Sequence, residues 1–117
     1  MITSGIHVLL RLAPFALLAP AGCAGALPRA EAQFVDGDYP DAKLALVALE
    51  AESRTWNDGK RAEYALYSGL THAALGDREQ AGVWLLAAKA IEDAHAGSLS
   101  HEDAQRLKVA FESNDVP

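Results

Sequence analysis

The side chains best suited to chemistry in this 117-residue chain are four histidines and a single cysteine. His95 and His101, the second followed by Glu102 and Asp103, are residue types that hold zinc or nickel. A Gly97-Ser98 turn separates them, however, and they do not stand at the i, i+4 spacing that places two imidazoles on one helix face. His72 lies among small residues in a helical stretch, with no nucleophile motif to serve, and reads as a packed or groove-facing histidine rather than a general base. His7 belongs to an apolar N-terminal stretch. No G-x-S-x-G elbow and no glycine-rich phosphate loop occurs. Cys23, being alone, forms no disulfide within the chain and no cysteine zinc cage. These residues assign no catalytic role, no cofactor and no metal. A metal- or small-ligand-binding accessory role through His72, His95 and His101 is the alternative.

The elements that carry these residues are helices. Apolar content is 50%, dominated by alanine and leucine, aromatics are 7%, and Val and Ile are scarce after the first dozen residues. That mixture favours helix over strand. Breakers fall at Asp36-Gly37-Asp38, Asn57-Asp58-Gly59, Gly76-Asp77 and Ala96-Gly97-Ser98, and they divide the chain into five helical stretches. The first covers about 29–35. The second runs from Pro40 to about Glu52, with Ala42, Ala45, Leu46 and Leu49 on one face; Pro40 is tolerated where first-turn N–H groups have no intrahelical partner. The third, about 58–75, carries Ala62, Ala65, Leu66, Gly69, Leu70 and Ala73. The fourth starts at Asp77 as N-cap and carries Ala81, Trp84, Leu85, Ala88 and Ile91. The fifth is announced by Ser100 with Asp103 three residues on, and turns Leu107, Ala110 and Phe111 inward. The chain is predicted to be all-α.

The charge is −6, with 16 acidic against 10 basic residues spread along the chain. Nucleic-acid binding needs a basic face that this balance does not supply. Glu92-Asp93 and Glu102-Asp103 read as solvated acidic faces.

From Val8 to Ala26 the chain runs VLLRLAPFALLAPAGCAGA. The apolar part has the length of a signal-peptide core and is short for a membrane span, which needs roughly 20 apolar residues. Its end, Pro20-Ala21-Gly22-Cys23, resembles the lipobox of bacterial lipoproteins, with Ala21, Gly22 and Cys23 matching and Pro20 standing where leucine is usual. The resemblance implies that Cys23 is acylated and becomes the mature N-terminus, tethering the domain to a membrane of the cell envelope on the periplasmic side. Cleavage after Ala21, Ala24 or Ala26, giving a soluble periplasmic or secreted domain, is the alternative. The expected organisation is a signal peptide at 1–22, a linker at 23–28, a helical domain at 29–113 and a tail at 114–117.

Two turns repeat. Asp36-Gly37-Asp38-Tyr39-Pro40-Asp41-Ala42 and Leu75-Gly76-Asp77-Arg78-Glu79-Gln80-Ala81 share Gly-Asp and an alanine four residues after the aspartate, with the glycines 39 residues apart. The segment from Ala62 to Asp93 resembles a tetratricopeptide repeat: Gly69 stands at the small position of the first helix, Leu75-Gly76-Asp77 at the interhelix turn, and Ala81, Leu85 and Ala88 at the small-large-small positions of the second. Ala65, His72 and Asp93 depart from the pattern, and the unit at about 29–52 matches only at its turn and second helix. The resemblance implies antiparallel helical hairpins stacked as a short tetratricopeptide-like α-solenoid with the last helix as cap. It implies too that the first helix of each hairpin lines a concave binding surface. On that basis Trp56, Arg61, Tyr64, Tyr67 and His72 are candidate partner-binding residues, gripping a peptide or helix of another envelope protein. Ordinary packing of the tyrosines against the neighbouring repeat is the other reading. Self-association is a third role, since a domain this small buries a modest fraction of its surface.

Overall fold

A computed structural model describes residues 25–114, and among them every regular element is a helix: α1 (Ala26–Val35), α2 (Tyr39–Ser53), α3 (Asp58–Ala74), α4 (Arg78–Ala94) and α5 (His101–Asn114). The all-α expectation is met. The expected signal peptide, Cys23 and the last three tail residues lie outside the described residues.

α1 begins three residues earlier than expected, and includes Pro28. Gly25 makes this possible: its φ is 123°, and a Cβ there would meet Pro28 Cδ at 2.9 Å. Pro28 is the third helical residue, where the missing N–H would have had no intrahelical acceptor anyway. The extension matters for packing, because Leu27 from the expected linker is 2% exposed. At the other end, Asn114 is helical rather than the start of a tail.

The repeated Gly-Asp turns have one geometry. Gly37 and Gly76 sit at φ 85° and 84°, the left-handed region that glycine enters without a Cβ penalty. In the first, Gly37 N–H donates to Phe34 C=O at 3.0 Å and Asp38 N–H to Gln33 C=O at 2.8 Å; in the second, Gly76 donates to Ala73 at 3.0 Å and Asp77 to His72 at 2.9 Å. Each is a Schellman closure that satisfies the last carbonyls of one helix and reverses the chain into the next. The starts of the following helices differ. Asp77 accepts from Gln80 N–H at 3.1 Å, whereas the Asp38 side chain makes no cap. Asn57 caps α3 by accepting from Lys60 N–H at 2.9 Å, and Ser100 accepts from Asp103 N–H at 3.1 Å ahead of α5.

α1 packs on α2, α3 packs most extensively on α4, α2 lies against α3, and α5 closes over α3 and α4, with α1 also reaching α3. The arrangement is compatible with two stacked hairpins and a final helix. Each helix buries one leucine: Leu27, Leu46, Leu66, Leu85 and Leu107. Alanines fill the spaces between, with Ala30, Ala42, Ala62, Ala81 and Ala88 wholly buried. Full burial of a leucine is worth about 1.5–3 kcal/mol, so these five anchor the stack. The closest approach is at Gly69, where a Cβ would stand 2.7 Å from Leu85 Cδ2 and 3.2 Å from Leu85 N. α3 is covered on almost every side, and Ala62, Tyr64, Ala65, Leu66, Tyr67, Ser68, Gly69 and Thr71 are all buried.

Candidate functional site

An open groove of about 840 Å³ lies between α1, α3 and α5. Phe34 from the end of α1, Leu70 and Ala73 from α3, and Val109 and Ala110 from α5 give it apolar lining, and Arg106 of α5 lines it as well. The same surface is therefore shared by the first helix of each hairpin and by the last helix. Val109 is 57% exposed, so the groove presents apolar area to solvent. One end is fixed by a reciprocal pair: Arg78 Nη2 donates to Asn114 C=O at 3.1 Å, and Asn114 Nδ2 to Arg78 C=O at 3.3 Å.

A charged network lies beside this floor. The Tyr67 hydroxyl donates to Asp103 Oδ1 at 3.1 Å and accepts from Arg106 Nη1 at 2.9 Å, and Arg106 Nη2 reaches Glu102 Oε1 at 2.9 Å. Burial, together with the Asp103 carboxylate, pushes the Tyr67 hydroxyl well above its ordinary range. Glu31 of α1 faces the same cluster. Its carboxyl is pushed up to about 9, first by burial, then by hydrogen bonding and repulsion from Glu63, and by repulsion from Asp103, with Arg106 opposing. Glu31 is accordingly a neutral acid at pH 7, and its buried Oε2 has no hydrogen-bond partner. Asp103, which the sequence suggested as part of a capping box and a solvated face, is instead the acceptor that ties α5 to α3.

The five candidate partner-binding residues do not come together on one surface. Tyr64 and Tyr67 are buried, at 2% and 6% exposure, and point to different sides of α3. Tyr64 donates to Leu46 C=O at 2.6 Å and packs edge-on against Trp84 and Trp56, with ring centroids 5.4 and 5.9 Å away. Tyr67 packs edge-on against Phe34 at 5.8 Å. Trp56 is half-buried, with Lys60 Nζ 4.1 Å from its ring centroid, and Arg61 pairs with Asp58 at 3.0 Å. His72 lies on the Tyr64 side, with Nδ1 3.8 Å from Asp77 Oδ2; burial, reinforced by Lys43 and opposed by Asp77, lowers its pKa. Of the five, only Tyr67 belongs to the side that carries the groove. The groove residues Phe34, Leu70, Arg106 and Val109 escaped the sequence reading. Leu70 was visible only as one member of an apolar stripe, and Val109 stands where the period of α5 turns outward.

His95 and His101 are not gathered with His72 into a metal-binding group, and His7 lies outside the described residues. His95 Nε2 lies 3.3 Å from Asp58 Oδ2, while His101 is an exposed first residue of α5. Among the described residues no group of three or more His, Cys, Asp and Glu is placed to hold a metal ion, and no helix is long and apolar enough to cross a membrane. Glu92 serves the α4–α5 connection rather than a free acidic face: its carboxylate accepts from Gly97 and Leu99 N–H, each at 2.9 Å, and these bonds lower its pKa.

No family model, no curated protein and no solved structure matches the chain.

Proposed function

We propose that this chain is an exported, lipid-anchored protein–protein interaction module of a bacterial cell envelope. In this reading it is a short tetratricopeptide-like stack, and its inner groove holds an apolar segment of another envelope protein. The observation that carries the proposal is the groove itself: α1, α3 and α5, the positions of first helices in successive hairpins, line one open apolar surface. A partner segment would cover Val109 and Leu70 there, and Arg106 at the margin offers a polar contact. Supporting it on the sequence side are the two Gly-Asp turns and the lipobox-like Ala21-Gly22-Cys23.

Site-specific photo-cross-linking tests the groove. A photoreactive residue at Val109 should capture a discrete protein in native envelopes, and one at Val47, on α2, should not. Val109→Glu should abolish capture by a second photoreactive residue at Ser113 while leaving the thermal midpoint within a few degrees, because Val109 is 57% exposed. Equal capture from Val47 and Val109, or none from either, would remove the groove as the binding surface. The anchor is tested separately: Cys23→Ser should shift the protein from the membrane to the soluble fraction and remove the acyl mass from its N-terminal peptide.

A further inference from the structure

α2 is apolar on every side, yet only one side of it is covered. Leu44-Ala45-Leu46-Val47-Ala48-Leu49 is an unbroken apolar run, and at 3.6 residues per turn it passes right round the helix. A helix with no polar face is ordinarily buried all round. The side toward α1 and α3 does bury Ala42 and Leu46, at 0% and 3% exposure. On the outer side Leu44 and Val47 are left 70% and 54% exposed, with Ala48 and Ala51 exposed beside them. Val83 of α4, itself exposed, lines the same furrow as Val47 and widens the patch. None of these residues lines the groove, so this face is independent of the groove reading.

The charges on the face point to what covers it. Lys43, Val47 and Glu50 stand at i, i+4 and i+7, along one edge of the outer side. Lys43 makes no hydrogen bond or ion pair among the described residues, and the one ion pair of Glu50 is an exposed contact with Arg54 at 3.5 Å. Lys43 and Glu50 are about 10 Å apart along the axis and do not pair within the helix. Against a second α2 laid antiparallel about a twofold axis beside Val47, however, each Lys43 comes level with the other copy's Glu50, on the same edge of the contact. A parallel arrangement would instead set Lys43 on Lys43 and Glu50 on Glu50. Asp41 and Glu52, the other acids of α2, lie more than about 100° round the helix from Val47 and clear of the contact. The outer face of α2 is thus complementary to itself, as a twofold contact requires.

We propose that two copies of this chain associate through the outer faces of their α2 helices, antiparallel about a twofold axis, with Leu44 and Val47 at the centre and a Lys43–Glu50 pair at each end. One helix laid on another buries less than the about 1,200 Å² at which standard interfaces begin, so the association is weak and depends on concentration. Both grooves stay open. A cross-link from Val47 would accordingly join two copies of the chain and capture no other protein, which keeps it apart from the test at Val109.

Sedimentation of the full chain, extracted in detergent, tests this contact. The mass should pass from one copy to two as concentration rises through the micromolar range. Leu44→Glu should hold the chain as a monomer and leave its helical circular dichroism unchanged, because that side chain is 70% exposed. Lys43→Glu and Glu50→Lys should each weaken association by about tenfold, since either one sets two like-charge contacts in every dimer. The double variant Lys43→Glu/Glu50→Lys should return to within about threefold of the parent chain, a recovery that requires position 43 of one copy to meet position 50 of the other. A monomer at every concentration, a dimer indifferent to Leu44→Glu, or no recovery in the double variant would each overturn the proposal.

Discussion

The Tyr67 hydroxyl and the Asp103 carboxylate meet at 3.1 Å across 36 residues of chain, and through them the last helix is fastened to the central one. Arg106 completes the contact by donating to the same hydroxyl at 2.9 Å. Removing that oxygen leaves a half-buried carboxylate and a guanidinium each short of a partner. Tyr67→Phe is therefore expected to cost about 1–3 kcal/mol in urea unfolding. Amide hydrogen exchange should quicken in α5 before it does in α2. A uniform change across all helices would mean that the bond has no special part in holding α5.

Gly69 sets the spacing of α3 and α4. A methyl group there would stand 2.7 Å from Leu85 Cδ2, and Leu85 has no exposed surface into which to move. Gly69→Ala should destabilise the domain by about 1–3 kcal/mol through overpacking, despite alanine's better helix propensity. Gly82→Ala is the matched control: its nearest neighbour would be Asn114 Nδ2 at 4.0 Å, so the propensity gain of about 0.5–1 kcal/mol should appear as a higher melting temperature.

The acid on α1 gives a pH signature. Glu31 holds its proton up to about 9 when folded, against an ordinary value of 4.5. The folded state binds the proton more tightly, so its contribution to stability is complete below pH 4.5 and is lost as pH rises toward 9. His72 acts in the opposite sense: its lowered pKa means that acidification through its ordinary value of 6.5 favours the unfolded state. Glu31→Gln should flatten the fall in melting temperature between pH 6 and pH 9, and His72→Gln should flatten the fall on the acid side. An unchanged pH profile in Glu31→Gln would show that its carboxyl is ionised and solvated.

The two Gly-Asp turns make a paired experiment. Asp77 accepts from Gln80 N–H, and Asp38 makes no corresponding bond. Asp77→Ala should cost about 1 kcal/mol by chemical denaturation, with Asp38→Ala costing clearly less. Equal losses would place the value of these aspartates in their charge near the helix start rather than in the cap.

The turns were the most legible feature of the sequence, because a glycine at positive φ followed by a capping residue leaves a local signature that needs no tertiary partner. The helix faces were less so. A stripe at 3.6-residue spacing describes a helix with one buried side, and α3 has nearly none exposed. Tyr64 and Tyr67 therefore looked like neighbours flanking a stripe, whereas the fold buries them against α2 and α5 respectively. Ser68 and Thr71 passed unnoticed for the same reason, since polar residues within a helix read as solvent-facing. Pro28 misled in the other direction. As a breaker it suggested a linker, but it occupies the one turn of a helix that can spare an N–H.

That early start to α1 bears on how the domain would sit in an envelope. Two residues separate Cys23 from Ala26, and the three chain steps between them reach at most about 11 Å. A lipid on Cys23 would consequently be a stub rather than a leash. α1 would stand with its first turn at the headgroups, and Phe34, eight residues on, would lie about 12 Å further along its axis. Under the proposed anchor the groove could not sweep through a volume in search of its partner; it would be posted at a set height, reading only what passes close to the bilayer.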